Sequence, residues 1–269
     1  MLRHTFLHCP GIGEKRERDL WAQGYPHWEA FLGAHPPGGW RDLIAERLTV
    51  ERAAHDLPRR EAWRLATSFP GRIGYLDIET DGGTGPESIT CVGLSDGARC
   101  EAFVAEDNLH LLPDALERFD LLVTYNGSCF DLPILQRSFP RIDFRRFHHV
   151  DLRWPLSRLG WRGGLKAAER EAGILRGLEV QGVDGWTAVH LWRAHREGHP
   201  RALETLLRYC LEDVVNLVPL MVRTYNRMVA SLPIEVPPLL EGPRVEIPFR
   251  ADPALVRDIL HWQRGVAAL

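Results

Sequence analysis

The run Tyr75-Leu76-Asp77-Ile78-Glu79-Thr80 closes an apolar stretch that begins near Arg72. Its composition predicts a buried strand over 72–80 that ends in two acids. Residues two apart in a strand project from the same face, so Asp77 and Glu79 point to one place at the sheet edge. Adjacent carboxylates repel each other unless a cation neutralises them or water solvates both, and hard oxygen ligands suit Mg²⁺ or Mn²⁺. The run therefore predicts either a divalent-metal site or a solvated strand end.

The regions on either side of this strand differ in pattern. Residues 1–70 carry apolar residues at helical spacing and predict a small all-helical N-terminal domain. Its predicted helices are 14–23, 28–33, 40–55 and 59–67.

Residues 71–230 alternate between strand and helix patterns. The predicted strands are 72–80, 88–95, 99–105, 120–125 and one near 148–152. A helix is predicted over 109–118, another opens after Ser128, and the longest covers 203–229. An antiparallel meander that continues into βαβ crossovers predicts an α/β fold, with a mixed sheet flanked by helices. Residues 231–269 form a C-terminal extension, with a strand-like run over 244–249 and a last helix over 253–267.

The composition argues against several classes of protein, such as membrane-spanning, secreted and disulfide-rich proteins. No apolar run is long enough to span a bilayer, and the N-terminus lacks a signal-peptide core. The five scattered cysteines include no CxxC pair, which favours reduced thiols in a cytoplasmic protein over a zinc site or disulfide framework. A net charge of −3 gives no argument for a polyanionic partner.

Basic residues are almost all arginines, since Lys15 and Lys166 are the only lysines. Such a bias is typical of genome base composition, although arginine also suits bidentate phosphate contacts. Seven arginines fall between the acidic motifs, and they form either a phosphate-facing rim or a solvated face. They are Arg137, Arg141, Arg145, Arg146, Arg153, Arg158 and Arg162.

A second acidic signal follows the strand that ends at Tyr125. Asn126, Gly127 and Ser128 predict a turn, and Asp131 lies in the first turn of the next helix. An acid there is favoured by the helix dipole alone. Strand ends of an open α/β sheet are also where ligands gather, and from there Asp131 can reach the Asp77 and Glu79 site.

A third signal is the pair Tyr209 and Asp213, four residues apart on the longest predicted helix. They share one face, which Leu206 and Leu217 continue as an inward-facing apolar surface. A buried acid and phenol need partners, which a metal cluster would supply and a Tyr–Asp hydrogen bond would also provide.

These signals, in this order, resemble the DnaQ-like (DEDD) 3′→5′ exonucleases of the ribonuclease H-like superfamily. Asp77 and Glu79 match the first motif, Asp131 the second and Asp213 the third. Tyr209, four residues before the last acid, is similar to the tyrosine subclass. The resemblance covers about 71–230 and is strongest to the predicted prokaryotic exonucleases of the YprB type.

The resemblance implies a ribonuclease H-like five-stranded sheet and a two-metal mechanism. Asp77, Glu79, Asp131 and Asp213 would hold two Mg²⁺ or Mn²⁺ ions, and Tyr209 would orient the attacking water. The implied reaction hydrolyses nucleic-acid phosphodiesters to nucleoside 5′-monophosphates at a single-stranded 3′ end of DNA or RNA.

Three further residues are candidates for contacts to the terminal nucleotide or its phosphate. They are Thr80, Asn126 and Lys166, and each has a local alternative: a strand-end hydroxyl, a turn amide and a solvated lysine.

Near the N-terminus, Cys9-Pro10-Gly11-Ile12-Gly13-Glu14 resembles the hairpin of helix-hairpin-helix modules. In such a hairpin, Gly11 and Gly13 would let backbone N–H groups approach a phosphate. A Pro-Gly turn that caps a packing helix explains the run equally well, because no second copy of the motif follows.

Two other functions are compatible with the same sequence. A non-catalytic adaptor would keep the fold and bind nucleic acid or repair proteins, and a ribonuclease H-like endonuclease would cut internally. The presence of all four acids favours the exonuclease.

Overall fold

The computed structural model describes residues 1–34 and 44–266 and shows the predicted mixed five-stranded sheet flanked by helices. The strands are β1 (Ile73–Thr80), β2 (Ile89–Ser95), β3 (Cys100–Val104), β4 (Leu121–Thr124) and β5 (His148–Asp151). Their order is β3-β2-β1-β4-β5. The pairs β1–β2 and β2–β3 are antiparallel, whereas β4 runs parallel to both β1 and β5. The carboxyl ends of β1 and β4 therefore meet at one edge of the sheet.

The central strand β1 is buried on both faces because helices cover the sheet on both sides. Leu76 and Ile78 pack into the core on one face, and Tyr75 packs into the core on the other. Asp77 and Glu79 alternate with Leu76 and Ile78, so they share the face of Tyr75.

Ten α-helices are described. They are α1 (Glu14–Ala22), α2 (Trp28–Gly33), α3 (Val50–Asp56), α4 (Leu112–Leu116), α5 (Asp131–Ser138), α6 (Arg153–Arg158), α7 (Leu165–Ala172), α8 (Gly185–Arg196), α9 (Ala202–Val229) and α10 (Pro253–Val266). The longest, α9, packs across β1, β2 and β3 on the Tyr75 face. Among the described helices, none combines the length and the apolar character that crossing a bilayer requires.

Some predicted elements take a different form. Residues 40–43 of the predicted helix 40–55 lie outside the described residues, and the rest forms a 3₁₀ turn (Ala45–Arg47) followed by α3. The predicted helix 59–67 is a 3₁₀ helix, and 109–118 divides into a 3₁₀ turn and α4. The predicted strand over 244–249 was wrong, because that segment is irregular and forms no ladder with any described strand.

The N-terminal helices enclose an ion cluster, called here the N-terminal ion cluster, formed by Glu17, Glu61 and Arg64. The Arg64 guanidinium donates to Glu17 at 2.9 Å and to Glu61 at 3.0 Å. Glu17 also accepts hydrogen bonds from Thr5 Oγ1 at 2.7 Å and from the Phe6 backbone N–H at 2.8 Å. All three side chains are buried, and every charge has an opposite partner.

Candidate metal centre

Three acids from two distant segments meet at the carboxyl end of β1. Oxygen atoms of Asp77, Glu79 and Asp213 all lie within 4.8 Å of one another. Asp77 and Glu79 project from β1, and Asp213 projects from α9, which crosses that face of the sheet. This group is called the acid cluster below.

Close contact between α9 and the sheet makes this meeting possible. Gly93 in β2 pairs with Asp77 in the β1–β2 register. A Cβ at position 93 would lie 2.7 Å from Val214 Cγ2 and 3.0 Å from Cys210 Sγ. The absence of a side chain at Gly93 therefore lets α9 approach closely enough for Asp213 to reach Asp77.

Burial makes Asp77 and Glu79 of the acid cluster hard to ionise. It raises the pKa of Asp77 from 3.8 to about 7. Burial, followed by repulsion from Asp77, also raises the pKa of Glu79 and that of Asp131 well above their ordinary values. A nearby cation would be needed to keep all of these carboxylates charged at neutral pH.

The hydrogen bonds of the acid cluster do not supply that compensation. Within residues 1–34 and 44–266, the Asp77 and Glu79 carboxylates accept no hydrogen bond. The three carboxylates lie close together and offer only oxygen atoms as ligands. Such a group suits a hard divalent cation such as Mg²⁺ or Mn²⁺. Asp77, Glu79 and Asp213 are thus the residues that could hold such an ion.

Asp131 lies beside this group without belonging to it. Its Oδ1 accepts a hydrogen bond from the Ile78 backbone N–H at 3.2 Å, between the two β1 acids. The first motif and the second are therefore adjacent, as predicted, while only three of the four acids come within 4.8 Å of one another.

The turn before Asp131 is shaped by an acid from β5. Asp151 accepts hydrogen bonds from the backbone N–H groups of Asn126 at 2.7 Å and Ser128 at 3.1 Å. Asn126 adopts a positive φ of 65°, and a Cβ at Gly127 would clash with Thr124. Asp151 thus fixes the turn from which α5 and Asp131 begin.

Tyr209 contacts a lysine rather than Asp213. Lys166 Nζ donates to the Tyr209 hydroxyl oxygen at 3.2 Å and lies 4.8 Å from the centre of its ring. Burial lowers the Lys166 pKa to about 8. It also raises the pKa of Tyr209 well above its ordinary value, so the phenol stays protonated. The Tyr–Asp hydrogen bond considered as an alternative from the sequence is not among the described contacts.

Two charged residues at this site were missed as functional candidates. Arg176 forms ion pairs with Glu169 and with Asp213, and Glu169 is also bound by the Asn216 side chain at 3.1 Å. Nothing in the spacing of Arg176 separates it from the other arginines. Its position in the loop after α7 becomes informative only once the fold brings that loop to α9.

The lesser candidates have local contacts. Thr80 Oγ1 accepts a hydrogen bond from the Gly82 N–H at 3.3 Å. The side-chain oxygen of Asn126 accepts from Arg153 Nη1 at 2.6 Å. These contacts fit the local alternatives and leave the Asn126 side-chain nitrogen available for a ligand. A nucleotide-contact role for both residues stays a prediction.

The N-terminal glycines form the turn before α1. Gly11 has a φ of +77°, and Gly13 precedes the helix as its N-cap residue without a side-chain cap. The first turn of α1 contains Glu14, which pairs with Arg60 and Arg158, and Glu17, which pairs with Arg64. A contact from this turn to nucleic acid stays a prediction.

Some of the arginines between the motifs line a cavity of about 930 Å³ beside β5. Arg145 pairs with Asp143 at 2.9 Å, and Arg146 pairs with Glu117 at 3.0 Å. Arg141 lines the same cavity and forms no ion pair within the described residues. Both interpretations of these arginines, a phosphate-facing rim and a solvated face, stay predictions.

The match to a protein-family model agrees with this fold. Residues 74–225 match the family model of the RNase H superfamily. Among solved structures, the chain is similar to the family B DNA polymerase from the hyperthermophilic archaeon Pyrobaculum calidifontis, with 20% sequence identity and a TM-score of 0.43. The similarity covers 61% of this chain but only 24% of the polymerase chain, or about a quarter of its length. The curated proteins contain no match.

Proposed function

The chain belongs to the RNase H superfamily, and from that premise we propose that it is a metal-dependent 3′→5′ exonuclease. In this proposal it is a DEDD exonuclease of the tyrosine subclass and the YprB type. It hydrolyses nucleic-acid phosphodiesters to nucleoside 5′-monophosphates, starting from a single-stranded 3′ end of DNA or RNA.

One observation carries the proposal. The β1 acids Asp77 and Glu79 meet Asp213 of α9 within 4.8 Å. Glu79 and Asp213 are buried and Asp77 is partly buried, and among the described residues Asp213 alone of the three has an ion-pair partner, Arg176. A buried group of this kind is typical of a site that binds cations and substrate.

The acid cluster would hold the divalent ions, and Asp131 would serve the second of the two. When bound, Mg²⁺ or Mn²⁺ ions would activate water and stabilise the charge that develops on the leaving oxygen. Asp77 must lose its proton before it can act as a ligand. Because its pKa is about 7, this occurs near neutral pH.

Tyr209 acts in this proposal as a positioning group for the attacking water. Its pKa is raised by burial, so it cannot accept a proton as a base at neutral pH. The Lys166 ammonium donates to the phenol oxygen, which leaves the phenol proton to donate to water. Thr80, Asn126 and Lys166 would contact the terminal nucleotide or its phosphate.

The regions outside the sheet support the site in this proposal. Residues 1–70 form a helical domain, 71–230 the nuclease domain and 231–269 a C-terminal extension. Arg158 of α6 reaches Glu14 at 3.2 Å, which links the nuclease region to the N-terminal helices. Contact of Gly11 and Gly13 with nucleic acid belongs to the same proposal.

The test compares Asp213→Asn with Asp81→Asn on a 5′-labelled single-stranded oligonucleotide with Mg²⁺, Mn²⁺ or EDTA. Asp81 follows β1 directly, is exposed and binds only its own turn, so it is a matched acid outside the cluster. We expect the wild type and Asp81→Asn to give a ladder of shortened products with metal ions, and Asp213→Asn to give none. Near wild-type turnover by Asp213→Asn would refute the assignment.

The same assay separates the two alternatives. A circular single strand has no 3′ end, so cleavage of it would indicate an endonuclease. Binding of either substrate without any cleavage, in Mg²⁺ and in Mn²⁺, would indicate an adaptor.

A further inference from the structure

Arg176 is an additional positive charge beside the proposed metal ligands. Its guanidinium forms an ion pair with Asp213 and lies 2.8 Å from Glu169. It also lies over the Tyr209 ring, with Cζ 5.9 Å from the ring centre. The side chain is only 12% exposed, so water screens its charge poorly. Arg176 is therefore placed to act on the acid cluster itself.

The contacts of Arg176 divide between two different acids. Glu169 is buried and lies outside the acid cluster, and the Asn216 side chain also donates to it. Asp213 belongs to the acid cluster. Arg176 thus has one permanent partner in Glu169 and one partner that a metal ion would also need.

The backbone on both sides of Arg176 is tied to α9 and to the C-terminal extension. The Gly177 N–H donates to Glu212 at 2.8 Å. Arg244 of the extension donates to the Leu175 carbonyl at 3.0 Å and also pairs with Glu212. These bonds fix the loop, and the fixed loop holds the Arg176 guanidinium beside Asp213.

We propose that Arg176 is an internal counter-cation that holds Asp213 in the metal-free protein and competes with divalent ions for it. The inference rests on the proposed function, since it concerns the same site. A buried carboxylate without a partner is strongly destabilising, so Arg176 stabilises the fold before metal binds. Because the guanidinium neutralises part of the charge of Asp213, it would compete with a divalent ion for this carboxylate and weaken the affinity of the site for metal.

The competition predicts opposite changes in two measured quantities. In Arg176→Met, the metal-free melting temperature should fall, because the charge of Asp213 loses its partner. The Kd for Mn²⁺, measured by titration calorimetry, should become tighter by about tenfold or more, because no guanidinium has to be displaced. A merely structural arginine would lower the melting temperature without tightening the Kd.

Arg158 provides the control. Its side chain is 35% exposed, and it pairs with the buried Glu61 of the N-terminal ion cluster, outside the acid cluster. We expect Arg158→Met to lower the melting temperature and leave the Mn²⁺ Kd unchanged. Arg176→Lys keeps the charge with fewer donors, so its Kd should lie between those of the wild type and Arg176→Met. If Arg176→Met does not fold, Arg176→Lys gives the same comparison with the wild type.

The outcomes separate this inference from the proposed function. An Mn²⁺ Kd in the Arg176 variants equal to or weaker than that of the wild type would overturn the role of Arg176 and leave the metal site standing. Failure of every variant and of the wild type to bind Mn²⁺ would overturn the metal site, and the inference with it.

Discussion

The N-terminal ion cluster and the acid cluster both bring carboxylates together inside the protein, with only Asp77 partly exposed, yet their surroundings are opposite. In the N-terminal ion cluster, Arg64 lies between Glu17 and Glu61 and donates to both. In the acid cluster, Asp77 and Glu79 accept no hydrogen bond from the described part of the chain. Arg176 reaches only Asp213 there.

The difference shows which buried charges maintain the fold and which are available to a ligand. A buried carboxylate that is paired and hydrogen-bonded has its desolvation offset within the protein. A buried carboxylate without such partners destabilises the fold, and it persists where a bound cation can compensate it. The comparison predicts that mutations in the two clusters have different consequences.

The largest expected effect is on activity, from Asp77→Asn. Loss of this carboxylate should lower the rate of exonucleolytic cleavage by about 10³-fold, because a ligand for the ions that stabilise the transition state is removed. The metal-free melting temperature should stay the same or rise, because an uncompensated buried charge is removed. Cleavage assays and thermal melts in EDTA measure the two quantities. If the variant lost much stability but still cleaved the substrate, Asp77 would maintain the fold and would not act as a metal ligand.

The next effect is on stability, from Glu17→Gln. This change leaves Arg64 with Glu61 as its remaining carboxylate partner, which Arg158 also contacts, and it should lower the free energy of unfolding by about 3–5 kcal/mol. Denaturant unfolding measures this loss. Cleavage per folded molecule should remain at the wild-type level below the melting transition. A change below about 1 kcal/mol would mean that the N-terminal ion cluster contributes little to the fold.

The smallest expected effect is on the pH dependence of stability without metal. The pKa of Asp77 is about 7 in the folded protein and 3.8 ordinarily, so the folded state binds its proton more tightly than the unfolded state. The stability that this proton provides is complete in acid and is lost as pH rises through about 7. The Asp77→Asn variant has no such proton to lose. Its melting temperature relative to that of the wild type should therefore rise between pH 5 and pH 8.

Thermal melts in EDTA across this pH range measure the difference, and Asp81→Asn serves as the control that should follow the wild type. A constant difference between Asp77→Asn and the wild type would show that Asp77 does not titrate near neutral pH.

Sequence patterns were sufficient for the parts of the site that lie on regular elements. The alternation of β1 placed Asp77 and Glu79 on one face, and the helical spacing of Tyr209 and Asp213 placed both on α9. The mixed character of the sheet followed from the meander and crossover pattern. These features depend on local periodicity, which the sequence shows directly.

Features that depend on long-range packing could not be predicted in the same way. Arg176 lies in a loop, and only the fold brings it to Glu169 and Asp213. The segment 244–249 has strand-like residues, but Arg244 binds Glu212 and the segment pairs with no strand among the described residues. Hydrogen-bond partners across the fold, rather than propensity, determined both outcomes.

Because of Gly93, the register between β1 and β2 affects whether α9 can pack against the sheet. A shift of one residue in that pairing would turn Val92 or Leu94 toward α9 in place of the glycine. The branched side chain would act as a spacer and prevent the helix from seating against the sheet. A chain that aligned this hairpin wrongly would thus be unable to complete its core, so misaligned molecules would be excluded before the acids could meet.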